Sequence, residues 1–248
     1  MVLAGGKGLR LRPLTDKVPK CLVEVGGKPI LAHILAWLKE NGIDRVYVSL
    51  GYLSEVAVAY VEAHRGELGL DLEVSIEEEP VGTAGGLRLA MQRSGDEDQD
   101  LLVVNGDVLT NFDLRGFMEA FQAEKRVGAL ASIALKEEVS PYGVVLLDGT
   151  GFVHAFEEKP VLRGVWINAG IYAMSPAVMN YLPDKGSLES DVFPKLAWEH
   201  KLAGYRMPEG VFWRSIDSMK DIEEAARATQ SAGSRSSPFA ERKAPESR

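Results

Sequence analysis

Residues 3–15 read LAGGKGLRLRPLT, and the dipeptide Pro19-Lys20 follows shortly afterwards. A short apolar segment therefore leads into a glycine turn, and Lys7, Arg10 and Arg12 lie within it or just after it. Glycine lets backbone N–H groups approach a phosphate closely, and basic side chains neutralise its charge. We therefore expect this segment to bind a polyphosphate, and a basic glycine-rich surface turn is the alternative.

Two common phosphate-binding motifs do not fit this segment. The Walker motif requires Ser or Thr after Gly-Lys, but Gly8 follows Gly6-Lys7 and Pro29 follows Gly27-Lys28. The dinucleotide fingerprint requires a third glycine where Leu11 stands. The glycine turn is therefore of a different kind.

The composition limits the class of protein. With 248 residues, 46% of them hydrophobic, the chain can form one sizeable α/β domain or a domain with a small appendage. The net charge of −8 argues against nucleic acid as a partner, because phosphate backbones would be repelled. A basic patch confined to residues 7–20 instead indicates a small, highly anionic ligand.

The apolar and cysteine content points to no membrane segment and no disulfide. No apolar run approaches the roughly 20 residues that cross a bilayer. The single cysteine, Cys21, excludes an internal disulfide and fits a reducing cytoplasm. Because only four residues precede Gly5, the first strand is predicted to be short, and we expect the natural chain to begin upstream or Met1 to be internal.

Apolar runs and helical stretches alternate through residues 1–126, which predicts a mostly parallel, Rossmann-like mixed sheet flanked by helices. The predicted strands are 45–50, 70–76 and 101–105, and the predicted helices are 29–41, 54–64, 83–93 and 114–124. In such a sheet, ligands bind at the carboxyl ends of the strands.

Residues 127–229 have a different pattern. Alternating polar and apolar positions predict antiparallel strands over 128–135, 143–147, 152–156 and 166–174, followed by helices over 190–200 and 218–229. Asp148-Gly149 predicts a hairpin turn. We expect one domain over 1–229, and a disordered tail over 230–248, where Ser, Ala, Arg, Lys and Pro dominate.

The opening segment resembles the signature of the sugar-phosphate nucleotidylyltransferases, L-A-G-G-x-G-(T/S)-R-L-x-P-L-T…P-K, and departs from it at Leu9. The resemblance implies a GT-A-like α/β fold in which residues 1–126 bind nucleotide and 127–229 bind sugar. It implies an enzyme that transfers a nucleotidyl group from an NTP to a sugar 1-phosphate and releases pyrophosphate. The chain is most similar to the guanylyl and mannose branch, so GTP and mannose 1-phosphate are the first pair expected.

The resemblance assigns the nucleotide site residue by residue. It implies that Arg10 contacts the leaving pyrophosphate and that Lys20 lies between the nucleotide and the attacking phosphate. Base recognition is expected from the element Glu79–Ala84, which resembles E/Q-x-P-x-G-T-A except that Glu79 directly precedes Pro80. The full set expected to bind nucleotide is Leu3, Ala4, Gly5, Gly6, Gly8, Glu79, Pro80, Gly82 and Thr83.

Two aspartates are expected to hold Mg²⁺. Asp107 ends the apolar run 101–106 and matches the family's metal motif, N/G-D. Asp217 fits the spacing W-x-x-x-D found in some members, whereas Ser215 occupies the more usual position of the second aspartate. The alternative role for Asp217 is an N-cap of the helix that follows, and the alternative for Asp107 is the start of a turn.

The sugar side resembles two further family motifs, Glu157-Glu158-Lys159-Pro160 and Asn168-Ala169-Gly170-Ile171-Tyr172. The resemblance implies that Glu157 binds sugar hydroxyls, that Lys159 pairs with the sugar phosphate, and that Asn168 and Gly170 line the pocket with Gly143. Exposed strand ends are the alternative reading of these charged positions.

Other functions stay open at this point. The enzyme could use another pair, from heptose, glucose or MurNAc 1-phosphate and CTP, UTP or dTTP. A glycosyltransferase of similar build is disfavoured, because Asn105 stands where its usual Asp-x-Asp begins. A catalytically silent nucleotide-sugar sensor is the third reading, motivated by Leu9 and Ser215. The sequence leaves a homo-oligomer open.

Overall fold

The computed structural model describes residues 1–66, 69–95 and 98–233, with side chains described as far as residue 229. The strands are β1 (Val2–Ala4), β2 (Glu24–Val25), β3 (Lys28–Pro29), β4 (Arg45–Leu50), β5 (Asp71–Ile76), β6 (Leu101–Asn105), β7 (Val108–Thr110), β8 (Ala131–Val139), β9 (Val144–Leu147), β10 (Val153–Glu157), β11 (Val161–Met174), β12 (Leu202–Arg206) and β13 (Trp213–Ser215). The helices are α1 (Ile30–Glu40), α2 (Ser54–His64), α3 (Gly82–Ser94), α4 (Leu114–Arg126), α5 (Phe193–Trp198) and α6 (Met219–Gly233).

The central sheet has seven strands in the order β12-β8-β11-β6-β1-β4-β5. Strands β6, β1, β4 and β5 are parallel neighbours, and β11 runs antiparallel to both β6 and β8. The predicted mixed, mostly parallel sheet with flanking helices is confirmed. Because the four parallel strands point the same way, their carboxyl ends lie along one edge of the sheet.

Helix α1 illustrates how the local sequence forms the core. Its apolar residues recur at helical spacing, and the Ile30, Ile34 and Leu38 side chains are at most 2% exposed against the sheet. The helix ends at Glu40 with Asn41 as its C-cap, and the next residue, Gly42, takes a left-handed φ of 80°. Strand β1 lies at the centre of the same core, since Val2 is fully buried.

In residues 127–229, the strands and helices have different bounds from those predicted. Strand β11 begins five residues before the predicted 166 and absorbs two register shifts against β8. The helix predicted over 190–200 is split into a wide turn at Leu188–Val192 and the short α5. Pro194 explains part of this split, because it supplies no N–H to continue the preceding turn.

The C-terminal helix extends past its predicted end. Helix α6 continues to Gly233, so residues 230–233 are helical and not part of a disordered tail. The expectation for 234–248 lies outside the described residues. Within the described ranges, no helix is both long and apolar enough to cross a membrane.

Candidate active site

The glycine turn lies at the carboxyl end of the central strand β1. Gly8 adopts a left-handed φ of 58°, and its carbonyl accepts a hydrogen bond of 2.9 Å from Thr15 Oγ1. A Cβ at Gly8 would lie 3.0 Å from the Lys20 Cβ atom, so glycine allows the turn to fold back against Lys20. Leu11 is 1% exposed and anchors the turn, whereas Leu9 is 58% exposed and lines the cleft described next.

A cleft of about 930 Å³ opens above this turn. It is formed where β1, β4, β5 and β6 end, as the parallel sheet predicts. The sequence-predicted residues that line it are Leu3, Ala4, Gly5, Gly6, Gly8, Arg10, Lys20, Pro80, Gly82, Thr83, Asp107 and Asp217.

Two carboxylates and two cations meet at one side of the cleft. Lys20 Nζ lies 2.5 Å from Asp107 Oδ2 and 2.8 Å from Asp217 Oδ1. Arg10 Nη2 also contacts Asp217 Oδ1, at 2.7 Å. The Lys20 side chain is only 15% exposed, whereas Arg10 is 75% exposed and can reach into the cleft. One ammonium group therefore joins residues that are 87 and 197 positions away in the chain.

The pKa of Asp217 reflects this arrangement. Partial burial raises the pKa of the carboxyl, but the hydrogen bond and charge of Lys20, together with Ser215 and Arg10, outweigh burial. The net effect is a pKa below the usual range, so Asp217 is ionised near neutral pH.

Asp217 is not the cap of helix α6. The Ser218 hydroxyl accepts from the backbone N–H of Asp221 at 3.3 Å and donates to the Asp221 carboxylate at 2.7 Å. Ser218 therefore performs the capping role. The Asp217 carboxylate is directed instead to Lys20 and Arg10 in the cleft.

The donor set fits a divalent cation that is shared with a phosphate. One carboxylate oxygen of Asp107 and one of Asp217 lie within 2.8 Å of Lys20 Nζ, so the two carboxylates lie close together. Mg²⁺ is commonly bound by one or two carboxylates, with substrate phosphates and water completing the shell. In the part of the chain that the structure describes, no cluster of three or more His, Cys, Asp or Glu side chains could hold a metal ion.

Glu77 is a cleft residue that sequence reasoning missed. Its carboxylate is half-buried at the end of β5, and Oε1 accepts a 3.1 Å hydrogen bond from Ser49. A Cβ at Gly5 or at Gly86 would lie 2.6 or 2.7 Å from that same oxygen, so both glycines make room for the carboxylate. Burial raises the pKa of Glu77 above its usual value, against the lowering effect of Ser49.

The expected base-recognition residue Glu79 lies elsewhere. It is exposed, and it is not among the residues that line the cleft. The end of strand β5 explains the difference, because Glu77 directly follows the last strand residue, Ile76, whereas Glu79 lies two residues further along the loop. The position immediately after a parallel strand was the signal that could have identified Glu77.

The start of α3 is held by a neighbouring segment. Gly82 has a left-handed φ of 76°, and a Cβ there would collide with the carbonyl oxygen of Gly186. Gly186 N donates to Val81 O at 2.8 Å, and Ala84 N donates to Gly186 O at 3.0 Å. Gly82 is thus required by this docking as well as by its place on the wall of the cleft.

The sequence-predicted sugar residues fall into two groups. In the first group, Gly143 directly precedes the hairpin of β9 and β10, Glu157 ends it and Lys159 follows it. A Cβ at Gly143 would lie 2.6 Å from the Phe156 ring. Glu157 and Lys159 are exposed, and neither they nor Gly143 line the cleft. The structure therefore does not bring this group together with Lys20 and Asp107.

The second group lies on β11 beside the end of β6. Asn168 Oδ1 accepts from Gly170 N at 2.8 Å, and its amide nitrogen donates to the Tyr172 hydroxyl at 3.0 Å. Gly170 has a φ of 71°, and a Cβ there would lie 2.9 Å from the amide nitrogen of Asn105. Because Asn105 lines the cleft and Gly170 packs against Asn105, this second group lies beside the cleft.

Proteins of similar sequence are named for the same activity. The chain is 39% identical over 225 residues to mannose-1-phosphate guanylyltransferase catalytic subunit beta of Danio rerio. The matched region covers 90% of this chain and 62% of the relative. It is also 39% identical over 227 residues to the probable mannose-1-phosphate guanylyltransferase 1 of Oryza sativa subsp. japonica, covering 89% and 62%. The chain thus spans about 62% of the length of the curated relatives it matches.

Solved structures have the same fold. HddC from Yersinia pseudotuberculosis superposes with a TM-score of 0.70 at 26% identity, covering 91% of this chain and 96% of that one, and the same protein has been solved in complex with GMP-PN. A putative glucose-1-phosphate thymidylyltransferase from Bacillus anthracis, with 23% identity and a TM-score of 0.70, shares the fold over 91% of this chain and 92% of its own. The family model for nucleotidyl transferases matches residues 1–232, and the chain therefore belongs to the nucleotidyl transferase family.

Proposed function

We propose that this chain transfers a nucleotidyl group from an NTP to a sugar 1-phosphate, and that GTP and mannose 1-phosphate are its substrates. The observation that carries the proposal is the meeting of Lys20, Asp107 and Asp217 at the glycine turn, inside a cleft large enough for a nucleotide. The 33–39% identity to relatives named mannose-1-phosphate guanylyltransferase supports the substrate pair.

The reaction requires alignment and charge neutralisation more than covalent chemistry. A sugar phosphate oxygen attacks the α-phosphorus, and pyrophosphate leaves in line with the incoming oxygen. Backbone N–H groups of the glycine turn bind phosphate oxygens, and the exposed Arg10 guanidinium neutralises the leaving pyrophosphate. Lys20, which is held by two carboxylates, places its ammonium group at the junction of donor and acceptor.

Asp107 and Asp217 would hold Mg²⁺ in this enzyme. When bound, the ion draws charge from the phosphate oxygens and orients the triphosphate. The lowered pKa of Asp217 keeps that ligand ionised at the pH of the cell.

The burial of Cys21 and the lack of a predicted disulfide suit a reducing cytoplasm.

Glu77 favours guanine over the other bases. Guanine presents two adjacent donors, N1–H and the N2 amino group, and one carboxylate can accept from both. Uracil and thymine present a single N–H between two carbonyl oxygens, which an ionised carboxylate would repel. Because Glu77 lines the cleft, where Gly5 and Gly86 make room for its carboxylate, we assign base selection to Glu77.

The sugar 1-phosphate would bind between β11 and the hairpin of β9 and β10. Asn168 and Gly170 would lie on the β11 side, and Gly143, which packs against the Phe156 ring, on the hairpin side. Glu157 would accept hydrogen bonds from sugar hydroxyls, and Lys159 would pair with the sugar phosphate.

The decisive experiment is a turnover panel. Pyrophosphate release is measured for GTP, ATP, UTP, CTP and dTTP, each with mannose, glucose, heptose and MurNAc 1-phosphate, with and without Mg²⁺. We expect release only with a sugar 1-phosphate and the metal, and fastest release with GTP and mannose 1-phosphate. Another preferred pair would overturn the substrate assignment, and binding of nucleotide sugars without any turnover would favour the sensor.

A further inference from the structure

The carboxylate of Glu189 connects the two halves of the proposed substrate site. Glu189 Oε2 accepts from Thr83 Oγ1 at 2.9 Å and from Ser187 Oγ at 2.6 Å. Its other oxygen, Oε1, accepts from the Tyr172 hydroxyl at 3.4 Å. Thr83 lies in the first turn of α3 on the wall of the cleft, whereas Tyr172 lies on β11. One side chain therefore contacts both the nucleotide wall and the sugar strand.

The Tyr172 hydroxyl is the second link. The residue is fully buried, and its oxygen accepts from Asn168 Nδ2 at 3.0 Å and from Asn105 Nδ2 at 3.5 Å. A phenol has one proton to donate, and two donors already use its oxygen as acceptor. The proton therefore goes to Glu189, which fixes the direction of the hydroxyl and, through it, the orientation of both amides.

The oxygens of the same two amides differ in their partners. Asn168 Oδ1 accepts from Gly170 N, beside the proposed sugar pocket. Asn105 lines the cleft, and its Oδ1 is buried without a hydrogen-bond partner among the described residues. A buried acceptor without a partner is costly, so the hydrogen bond from Asn105 Nδ2 to the Tyr172 hydroxyl is what holds this amide in its orientation.

We propose that Glu189 is a positioning residue that couples nucleotide binding to sugar 1-phosphate binding. The inference rests on the proposed function, since it assigns the two ligands to the two ends of one hydrogen-bonded chain. A ligand at the α3 end orders Thr83 and Glu189, which also sets Tyr172 and its two amides. The second ligand then meets groups that are already ordered and binds more tightly, and the effect is reciprocal.

A matched control lies elsewhere on the surface. Glu199 also accepts from a tyrosine hydroxyl, that of Tyr181, at 2.5 Å and from Lys201 Nζ at 2.7 Å. Neither Glu199 nor Tyr181 lines the cleft. Both glutamates are exposed, so Glu189→Gln and Glu199→Gln should fold, and only the first should change coupling.

The experiment measures coupling directly. The dissociation constant of α,β-methylene GTP, which cannot undergo nucleotidyl transfer, is measured by calorimetry with and without saturating mannose 1-phosphate, in Mg²⁺. We expect mannose 1-phosphate to tighten nucleotide binding at least fivefold in the unaltered protein. Glu189→Gln should reduce that factor about threefold or more, because an amide nitrogen cannot accept from a hydroxyl, and Glu199→Gln should leave it unchanged within twofold.

Tyr172→Phe provides an independent test. It should reduce the factor to a similar extent, and the double variant Glu189→Gln/Tyr172→Phe should be no worse than Tyr172→Phe alone. An unchanged factor in Glu189→Gln, or equal losses in Glu189→Gln and Glu199→Gln, would overturn the proposal. If neither ligand binds the unaltered protein, the substrate assignment fails instead, and the same measurement is made with the pair that the turnover panel identifies.

Discussion

The two substrate regions differ in how their charged groups are held. Lys20 is 15% exposed and is bound by two carboxylates, that of Asp107 after the central strand β6 and that of Asp217 between β13 and α6. Glu157 and Lys159 are exposed and lie on or beside a hairpin that pairs with no strand of the main sheet. The hairpin also leaves Phe152 and Phe156 exposed by 75% and 65%.

The difference indicates a division of roles. Side chains held by several partners on rigid elements keep their geometry and can stabilise a transition state. Side chains on a two-stranded hairpin have few neighbours to fix them, since such a unit has little stability by itself. We therefore expect substitutions in the cleft to lower kcat, and substitutions on the hairpin to raise the KM of one substrate.

The largest effect is expected for Asp107→Asn. The amide keeps the size of the side chain but removes a charged ligand from the proposed metal site, so kcat should fall about 100- to 1000-fold. Pyrophosphate release measures the rate, and binding of Mn²⁺ with GTP, followed by paramagnetic resonance, measures the metal separately.

Asp44→Asn is the matched control for that variant. Asp44 also pairs with a lysine, Lys39, but it is 81% exposed and precedes β4, at the opposite end of the strand from the cleft. It should have near-normal kcat. Near-normal turnover in Asp107→Asn as well would remove the basis for placing catalysis at the cleft.

The next effect is expected for Glu77→Gln, which tests base selection within the cleft. Loss of a carboxylate that accepts from guanine should lower kcat/KM for GTP about 10- to 100-fold and change the rate with UTP much less. Glu79→Gln, on the same loop but outside the cleft, should change either rate less than about twofold. Equal effects of the two variants would contradict the assignment of Glu77.

A smaller effect is expected on the hairpin. Glu157→Gln should raise the KM for mannose 1-phosphate about tenfold, with the KM for GTP unchanged, because one charge-assisted hydrogen bond weakens. His154→Gln, at the register shift of the same strand and three residues before Glu157, should change neither value. A fall in kcat without a change in KM would show that the hairpin acts in the transition state, and the contrast between the two regions would disappear.

The smallest effect concerns stability at low pH. Because the folded protein holds the pKa of Asp217 below its usual value, the ionised carboxyl stabilises the fold above about pH 4, and this contribution is lost as pH falls through the lowered pKa. The unaltered protein should therefore lose more Tm between about pH 4 and pH 2 than Asp217→Asn does. Partial exposure of Asp217 keeps the difference small. Parallel loss of Tm in both proteins would contradict a stabilising role for the Asp217–Lys20 pair.

Most of the nucleotide half could be predicted from local pattern. The strand 45–50 and the helix 54–64 have the predicted bounds, since hydrophobic period and turn residues define them locally. The glycine turn and Asp107 follow short apolar runs, and they lie at the carboxyl ends of β1 and β6. By contrast, the register shifts in β11 and the split at residues 188–198 depend on pairing with distant strands, which a local window does not contain.

The sequence by itself determined the fold class, the family resemblance and the position of the glycine turn, because each depends on residues close together in the chain. Only the tertiary structure decided that Lys20 lies between Asp107 and Asp217, that Glu77 rather than Glu79 faces the cleft, and that Glu189 contacts Tyr172. These contacts join residues that are brought together by the order of strands in the sheet and by the end of each strand. That order is set by packing of the whole core, and no short stretch of sequence records it.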